Sequence, residues 1–186
     1  TKYSGTALRV TAEGLDGIEG TITNGKFTLT LKKPGNDELH NLTTDYLANT
    51  RIFVDDYYDD LKISPSSGVK VGAVSFRIED SDDYSYLSKG NRMGATRENL
   101  MYMYVDKDVT ISGKGKTETY FDAVNEYATK TSNFNLSLKA GWNTLLSKQQ
   151  NFGEKNGDKY TITFNTSLSV SNPSNLKWVL DGWFFD

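Results

Sequence analysis

The chain has 186 residues, with 24 acidic and 21 basic side chains, one histidine and no cysteine. Without cysteine it forms no disulfide, no thiolate zinc site and no cysteine nucleophile. The net charge of −3, spread without a basic run, argues against a nucleic-acid partner. The length fits a single domain over residues 1–186, large enough to bury roughly 70% of its unfolded surface.

The sequence predicts no transmembrane segment, because no stretch approaches the ~20 apolar residues that a membrane span needs. The first residues, TKYSGTALRV, lack the basic and apolar regions of a signal peptide. Since the chain starts at Thr1 rather than at methionine, we expect any export signal or lipid anchor to lie outside it.

Alternation of apolar and polar residues is the main periodicity along the chain, and this pattern predicts β-strands. The alternating segments are bounded by Gly, Asn, Asp and Ser, and about ten strands are expected. In chain order the clearest segments are TALRVTAEG, GKFTLTLKKPG, VKVGAVSFRIED, NLMYMYVDKDVTISG, NFNLSLKAGWNTLLS, KYTITFNTSLSV and LKWVLDGWFF.

Two segments break the alternation and predict one or two short helices. In NDELHNLTTDYLA, Leu39, Leu42 and Tyr46 recur at helical spacing behind Asn36, a good N-cap residue. TETYFDAVNEYATK has a similar spacing, although an ordered loop fits it almost as well. Short strands with local turns, and few helices, favour an all-β fold: an antiparallel β-sandwich or a closed β-barrel.

The segment NLSLKAGWNTLL raises the question of where Trp142 points. A two-residue loop would need positive φ at Ala140, so a three-residue loop with Gly141 in the left-handed conformation fits better. In the resulting hairpin, Leu138 opposes Trp142, and the indole extends the apolar stripe of residues 134, 136 and 138. This register predicts a structural anchor rather than a ligand-stacking residue.

The usual signatures of catalysis and of cofactor binding are missing from the sequence. His40 is the only histidine, no G-x-S-x-G occurs, and no glycine-rich phosphate loop is complete. We therefore expect no catalytic residues, no metal and no cofactor. Glu98, Glu118 and Glu126 leave a small jelly-roll glycosidase as an alternative.

The acidic runs VDDYYDDLK and IEDSDDYSY contain many carboxylates, which are the ligands that calcium prefers. Neither run matches the twelve-residue calcium-binding loop, and aspartate and serine are common in turns. Solvated turns are the favoured interpretation.

Tyrosines form the predicted ligand site. Tyr84 and Tyr86 share one strand face beside acidic residues. Tyr102 and Tyr104 share the strand face opposite to that of Met101, Met103 and Val105. Aromatic rings beside carboxylates suit stacking on sugars, so these four residues are the expected ligand-binding residues.

The segments MYMYVDKDVTISG and FNLSLKAGWN, together with GTITNGKFTLTL, resemble exported, often lipid-anchored all-β proteins of gut Bacteroidetes. This resemblance implies a cell-envelope setting and a β-barrel or β-sandwich. The sequence thus predicts an exported, non-enzymatic protein, at the cell surface, in the periplasm or secreted, that binds a glycan or another surface component. The alternative is a lipocalin-like barrel that encloses a small apolar ligand, with Met101, Met103 and Phe76 lining its pocket. The sequence leaves the oligomeric state open.

Overall fold

The computed structural model describes residues 8–16, 18–22, 28–49, 60–79, 84–121, 126–157 and 159–180. In these ranges the chain forms twelve strands and one helix. The elements are β1 (Leu8–Glu13), β2 (Glu19–Ile22), β3 (His40–Asn41), α1 (Thr44–Asn49), β4 (Lys62–Ser64), β5 (Lys70–Glu79), β6 (Tyr84–Met93), β7 (Thr96–Val105), β8 (Val109–Phe121), β9 (Glu126–Leu138), β10 (Gly141–Asn156), β11 (Lys159–Val170) and β12 (Lys177–Leu180). The predicted all-β fold is confirmed.

All twelve described strands belong to one sheet, with the order β2-β1-β5-β6-β7-β10-β11-β9-β8-β4. Strand β12 pairs with β6, and β3 pairs with β5. Every pairing is antiparallel except that of β11 with β9. Among the described strands the sheet is open, with β2 and β4 at its two ends, so it does not close into the barrel that was one of the two expected architectures.

Strand β5 shares one edge between two neighbours. Its second half pairs with the start of β6, from Phe76 opposite Leu87, and its first half pairs with the end of β7, from Val71 opposite Val105. Both pairings are antiparallel. The remaining parts of β6 and β7 pair with each other, also antiparallel, and this pairing ends at the hairpin around Gly94. The hairpin therefore extends away from β5.

The first core lies on one face of the sheet, beneath the helix. Met103 of β7 and Leu145 of β10 are completely buried there. The apolar alternation of β8 and β9 supplies the largest share, because every second residue at their paired ends is buried. The buried members are Leu42, Leu47, Val69, Val71, Met103, Val105, Val109, Ile111, Phe134, Leu136, Leu138, Leu145 and Leu168.

The second core lies on the opposite face of the same sheet. It forms where β1 and β5 present their alternate residues, and Tyr102, Trp142 and Trp178 pack against it as partly buried side chains. Its buried members are Val10, Leu15, Ile18, Val74, Phe76 and Ile78. The central strands are thus apolar on both faces.

The helix is shorter than predicted and begins later. Thr43, not Asn36, caps it: the Thr43 hydroxyl accepts the Tyr46 amide at 3.0 Å, as an N-cap residue does. His40 and Asn41 lie instead in β3, whose register on β5 is set by His40 opposite Val71. Residues 40 and 41 therefore pair with β5 and do not form a helix, although Leu39 and Leu42 have helical spacing.

The second predicted helix is wrong. Its described residues belong to β8 and β9, which pair antiparallel with Phe121 opposite Glu126. The i, i+4, i+7 spacing of Tyr120, Val124 and Tyr127 did not decide the structure, because β8 pairs with β9 along its full length and this pairing satisfies the backbone groups on that edge of β8.

The predicted hairpin between β9 and β10 is also wrong, because β11 lies between these two strands. Two strand spacings, about 9.6 Å, separate β9 from β10. Residues Leu138 to Gly141 cross that gap just beyond the end of β11. Gly141 does have positive φ, 108°, as predicted.

Candidate functional site

Trp142 is a structural anchor, but in a different core from the one predicted. It lies opposite Tyr104 in the β7–β10 pairing, on the face of the second core, and not beside residues 134, 136 and 138. Its ring meets the Tyr104 ring edge to face at 5.6 Å, and its Nε1–H donates to the Lys32 carbonyl at 2.9 Å. These contacts engage both the ring and the polar end of the indole.

The four predicted ligand-binding tyrosines do not form one exposed strip. Tyr104 is only 6% exposed. Tyr102 stacks on Trp178 at 6.3 Å and meets Phe76 edge to face at 5.3 Å, and burial raises the pKa of its hydroxyl. Tyr84 and Tyr86 have described backbones in β6, opposite residues 79 and 77 of β5, but their side chains lie outside the description. A ligand-binding role for the four stays a prediction.

Among the side chains that the structure describes, the exposed aromatic residues lie elsewhere, on the ends of β8, β9, β10 and β11 that are farthest from the two cores. The large exposed side chains in this region are Tyr120, Phe121, Phe152 and Tyr160. Side chains alternate between the two faces of a strand, whereas directly opposed residues share a face. The pairing registers therefore assign each aromatic residue to a face.

Tyr120 and Tyr127 form a cross-strand pair. They are directly opposite in the β8–β9 register, with ring centroids 4.5 Å apart and ring planes inclined by 35°. Tyr120 is 47% exposed. The pair therefore presents aromatic surface to solvent at the end of the sheet.

Phe152 lies on the same face as the tyrosine pair, two strands away. It is opposite Thr163 of β11, which is opposite Thr129 of β9, and Thr161 is opposite Tyr127. We call this set the aromatic platform: Tyr120, Tyr127, Thr129, Phe152, Thr161 and Thr163. Three strand spacings, about 14 Å, separate its outer strands.

Polar side chains continue the face of the aromatic platform toward the centre of the sheet. The Thr131 hydroxyl donates to Asn165 Oδ1 at 2.5 Å, and Lys116 pairs with Glu118 at 2.6 Å. Lys148 pairs with Glu98 at 3.4 Å. Hydroxyl, amide and charged groups beside exposed aromatic rings are the chemistry that recognises polyhydroxylated ligands.

Phe121 and Tyr160 project from the other face. Phe121 neighbours Tyr120 along β8, and its register partner Glu126 is opposite Tyr160. Phe121 is 48% exposed, almost the same fraction as Tyr120. Substitutions of Tyr120 and Phe121 can thus be compared, because the two residues have nearly equal exposure but lie on opposite faces of the sheet.

Sequence reasoning missed the aromatic platform because it assigned TETYFDAVNEYATK to a helix or loop. The alternation of threonine with charged and aromatic residues in KTETYF was the signal for a strand. Read as a strand, it places Tyr120 on the same face as Glu118.

The alternative sites of the sequence analysis do not assemble in the described residues. Glu118 and Glu126 have opposite parity in the β8–β9 register and point to opposite faces, and β7, which carries Glu98, is four strands from β8 in the sheet. Met103 and Phe76 belong to cores on opposite faces, so they do not line a common pocket. The single histidine of the chain, His40, stacks on the Tyr46 ring, and the two ring centroids are 5.4 Å apart.

The acidic runs fall mostly outside the described residues, except at their ends. Asp60 pairs with Lys62 at 2.7 Å, and the hydrogen bond and charge of that lysine lower the pKa of the carboxyl. In the ranges given above, no three His, Asp or Glu side chains come close enough to hold a metal ion. Nor does any helix there have the length and apolar character needed to cross a membrane.

Comparison of the chain with protein-family models, with curated proteins and with solved structures finds no match. The fold and the exposed platform define the class of this protein as an all-β protein built on one large sheet with a core on each face.

Proposed function

We propose that the protein is a non-enzymatic binding protein, exported to the cell envelope or secreted, that takes a glycan on the aromatic platform. One observation carries the proposal: Tyr120 and Phe152 are about half exposed on one face of the sheet, which also carries threonines. Apolar rings left in water are costly unless a partner covers them, and sugar faces are suited to that contact.

The envelope setting rests on the resemblance of MYMYVDKDVTISG and FNLSLKAGWN to exported proteins of Bacteroidetes. Exposed aromatic rings on the surface of a strand, rather than in an enclosed pocket, fit recognition of an extended chain of sugars. The paired tyrosines provide one stacking position and Phe152 provides another, with the hydroxyls of Thr161 and Thr163 between them.

Binding is tested on an array of oligosaccharides built from glucose, mannose, galactose and N-acetylglucosamine, followed by calorimetric titration with the best ligand. We expect Tyr120→Ala and Tyr127→Ala each to weaken that binding about tenfold, since losing one aromatic contact costs on the order of 1.5 kcal/mol.

Phe121→Ala is the matched control, because Phe121 has the same exposure on the same strand but points to the opposite face. Its affinity should equal that of the unaltered protein. The proposal is wrong if no oligosaccharide binds, or if both tyrosine variants bind as well as the control does.

A further inference from the structure

The face of the sheet opposite to the aromatic platform carries a second apolar surface at the same end. On β11, Tyr160, Ile162 and Phe164 alternate along this face, and the registers set Gly153 of β10 and Ala128 of β9 on either side of Ile162. We call these five residues the β11 patch. Tyr160 is 40% exposed, and Ile162 and Phe164 are half-buried. A contiguous apolar surface that reaches solvent outside the cores is typical of a contact site.

The β11 patch has little relief, because the residues beside its centre have small side chains or none. A Cβ added to Gly153 would overlap the Tyr160 hydroxyl, so this ring lies flat across the glycine. On the other side of Ile162 the only side chain is the methyl group of Ala128. A surface of this shape suits face-to-face packing of two sheets, which lie about 10 Å apart with their strands inclined by about 30°.

Four polar residues lie at the corners of the β11 patch. Lys155 and Glu126 are at the end nearer the β10–β11 turn, and Asn151 and Lys130 are at the end nearer the first core. Glu126 and Lys130 are four residues apart along β9, about 13 Å, and are too far from each other to bond. Among the residues that the structure describes, neither of them forms an ion pair.

A two-fold axis that crosses the strands at Ile162 makes this surface complementary to itself. The axis sets each strand over the same strand of a second copy, in the opposite direction. Glu126 then faces Lys130 of the second copy, and Lys130 faces its Glu126. Tyr160 faces Phe164, so an aromatic ring covers an aromatic ring. Opposite charges around an apolar centre are the arrangement that fixes the register of an interface.

An axis along β11 would set Glu126 against Lys155 instead, but the helix excludes it. Helix α1 covers the first core on the same face as the β11 patch, with Leu47 buried in that core. Copies that run in the same direction would bring their two helices together. A gap of about 10 Å between sheets has no room for two helices that are each about 10 Å wide. With the axis across the strands, each first core lies beyond the end of the other sheet.

We infer that a second copy of this chain packs on the β11 patch, sheet against sheet with opposed strands, to form a two-fold dimer. Thr119 and Phe121 of β8 lie on the same face and extend the contact at its rim. Four strands by three alternate positions give about 400 Å² on each copy, whereas a stable complex buries about 800 Å² on each partner. The dimer is therefore concentration-dependent. Both aromatic platforms point outward, so the dimer forms without a ligand and does not depend on the proposed function.

Charge reversal tests the axis. By sedimentation velocity over a range of concentrations, Glu126→Lys and Lys130→Glu should each raise the dimer dissociation constant at least tenfold, because each sets like charges against each other. The double variant E126K/K130E should restore it. Glu154→Lys, an exposed charge reversal on the opposite face of β10, should leave the constant unchanged. A loss with Lys155→Glu as large as that with Lys130→Glu would place the axis along β11 and overturn this arrangement.

A pair of cysteine variants tests which face is covered. Because the chain has no cysteine, Ile162→Cys introduces a single thiol, which faces its counterpart on the two-fold axis. A bis-maleimide that spans the gap of about 10 Å between packed sheets should crosslink this variant. Thr161→Cys is the matched control, because Thr161 is the preceding residue of β11, is also half-buried and points to the opposite face. A monomer at every concentration, a dimer that neither charge reversal weakens, or equal crosslinking of the two cysteine variants overturns the inference.

Discussion

At the residue scale, one buried asparagine organises the passage from β9 to β10. The Asn143 side chain accepts the Lys139 amide at 3.0 Å and donates to the carbonyls of Lys139 and Gly141 at 2.8 and 3.0 Å. The Asp108 carboxylate accepts a hydrogen bond from the Ala140 amide and pairs with the Lys139 ammonium. These contacts lower the pKa of the Asp108 carboxyl, and the hydrogen bond from Lys139 is the largest cause. Hydrogen bonds from side chains thus take the place of the backbone hydrogen bonds of a β9–β10 hairpin, which does not form because β11 lies between the two strands.

We predict that Asn143→Ala lowers the free energy of unfolding by about 1 kcal/mol or more, because it removes three hydrogen bonds from partly buried backbone groups of Lys139 and Gly141. Urea denaturation followed by far-UV circular dichroism measures the change. Asn133→Ala, at an exposed position of β9, should stay within about 0.5 kcal/mol of the unaltered protein. Equal stability of the two variants would contradict this role of Asn143.

At the element scale, Tyr160 covers a glycine of the neighbouring strand in the β10–β11 pair. A Cβ added to Gly153 would overlap the Tyr160 hydroxyl and the ring carbon that bears it. The ring therefore lies across a strand position that has no side chain. A ring over a glycine in the adjacent strand protects backbone hydrogen bonds that the missing side chain leaves open to water.

We predict that Gly153→Ala and Tyr160→Ala are coupled. In the unaltered protein, Gly153→Ala displaces the ring and costs about 0.5–1 kcal/mol of stability. In the Tyr160→Ala background, the same substitution should be neutral or stabilising, since alanine is better than glycine within a strand. A double-mutant cycle by urea denaturation gives the coupling energy. Strict additivity would show that the contact contributes nothing.

The elements also show where local patterns stop being informative. Alternation correctly predicted strands that pack one face on a core, as in residues 134 to 138, which are buried and exposed in turn. Alternation did not identify the strand around Tyr120, because the apolar residues of that segment are also spaced as they would be in a helix. Positive φ at Gly141 was a local property and was predicted correctly, whereas the partner of β9 depends on a strand that follows some twenty residues later.

At the scale of the whole molecule, two cores share the same strands. Val71 and Val105 face each other in the first core, and three residues along the same pairing Val74 and Tyr102 face each other in the second. Strands β5 and β7 therefore belong to both cores. Loosening either core should disturb the pairing on which the other depends.

We predict one cooperative unfolding transition for the two cores. Met103→Ala in the first core and Phe76→Ala in the second should cost about 2–5 kcal/mol each. Each should lower the denaturation midpoint by the same amount whether the probe is circular dichroism or tryptophan fluorescence, to which Trp142 and Trp178 near the second core contribute two of the three tryptophans of the chain. If Met103→Ala moves the circular dichroism midpoint and leaves the fluorescence midpoint in place, the cores unfold independently.

The sequence by itself determined the class of fold, because alternation of apolar and polar residues is a property of each strand alone. It also determined the absence of thiol chemistry and the conformation of Gly141. Only the tertiary structure decided the order of the strands and the face on which each aromatic residue lies. Those depend on pairing between distant segments, and a change of partner or of register by one residue moves a side chain from a core to solvent. That is why Tyr104 is buried, Trp142 anchors the second core, and the aromatic platform lies around Tyr120.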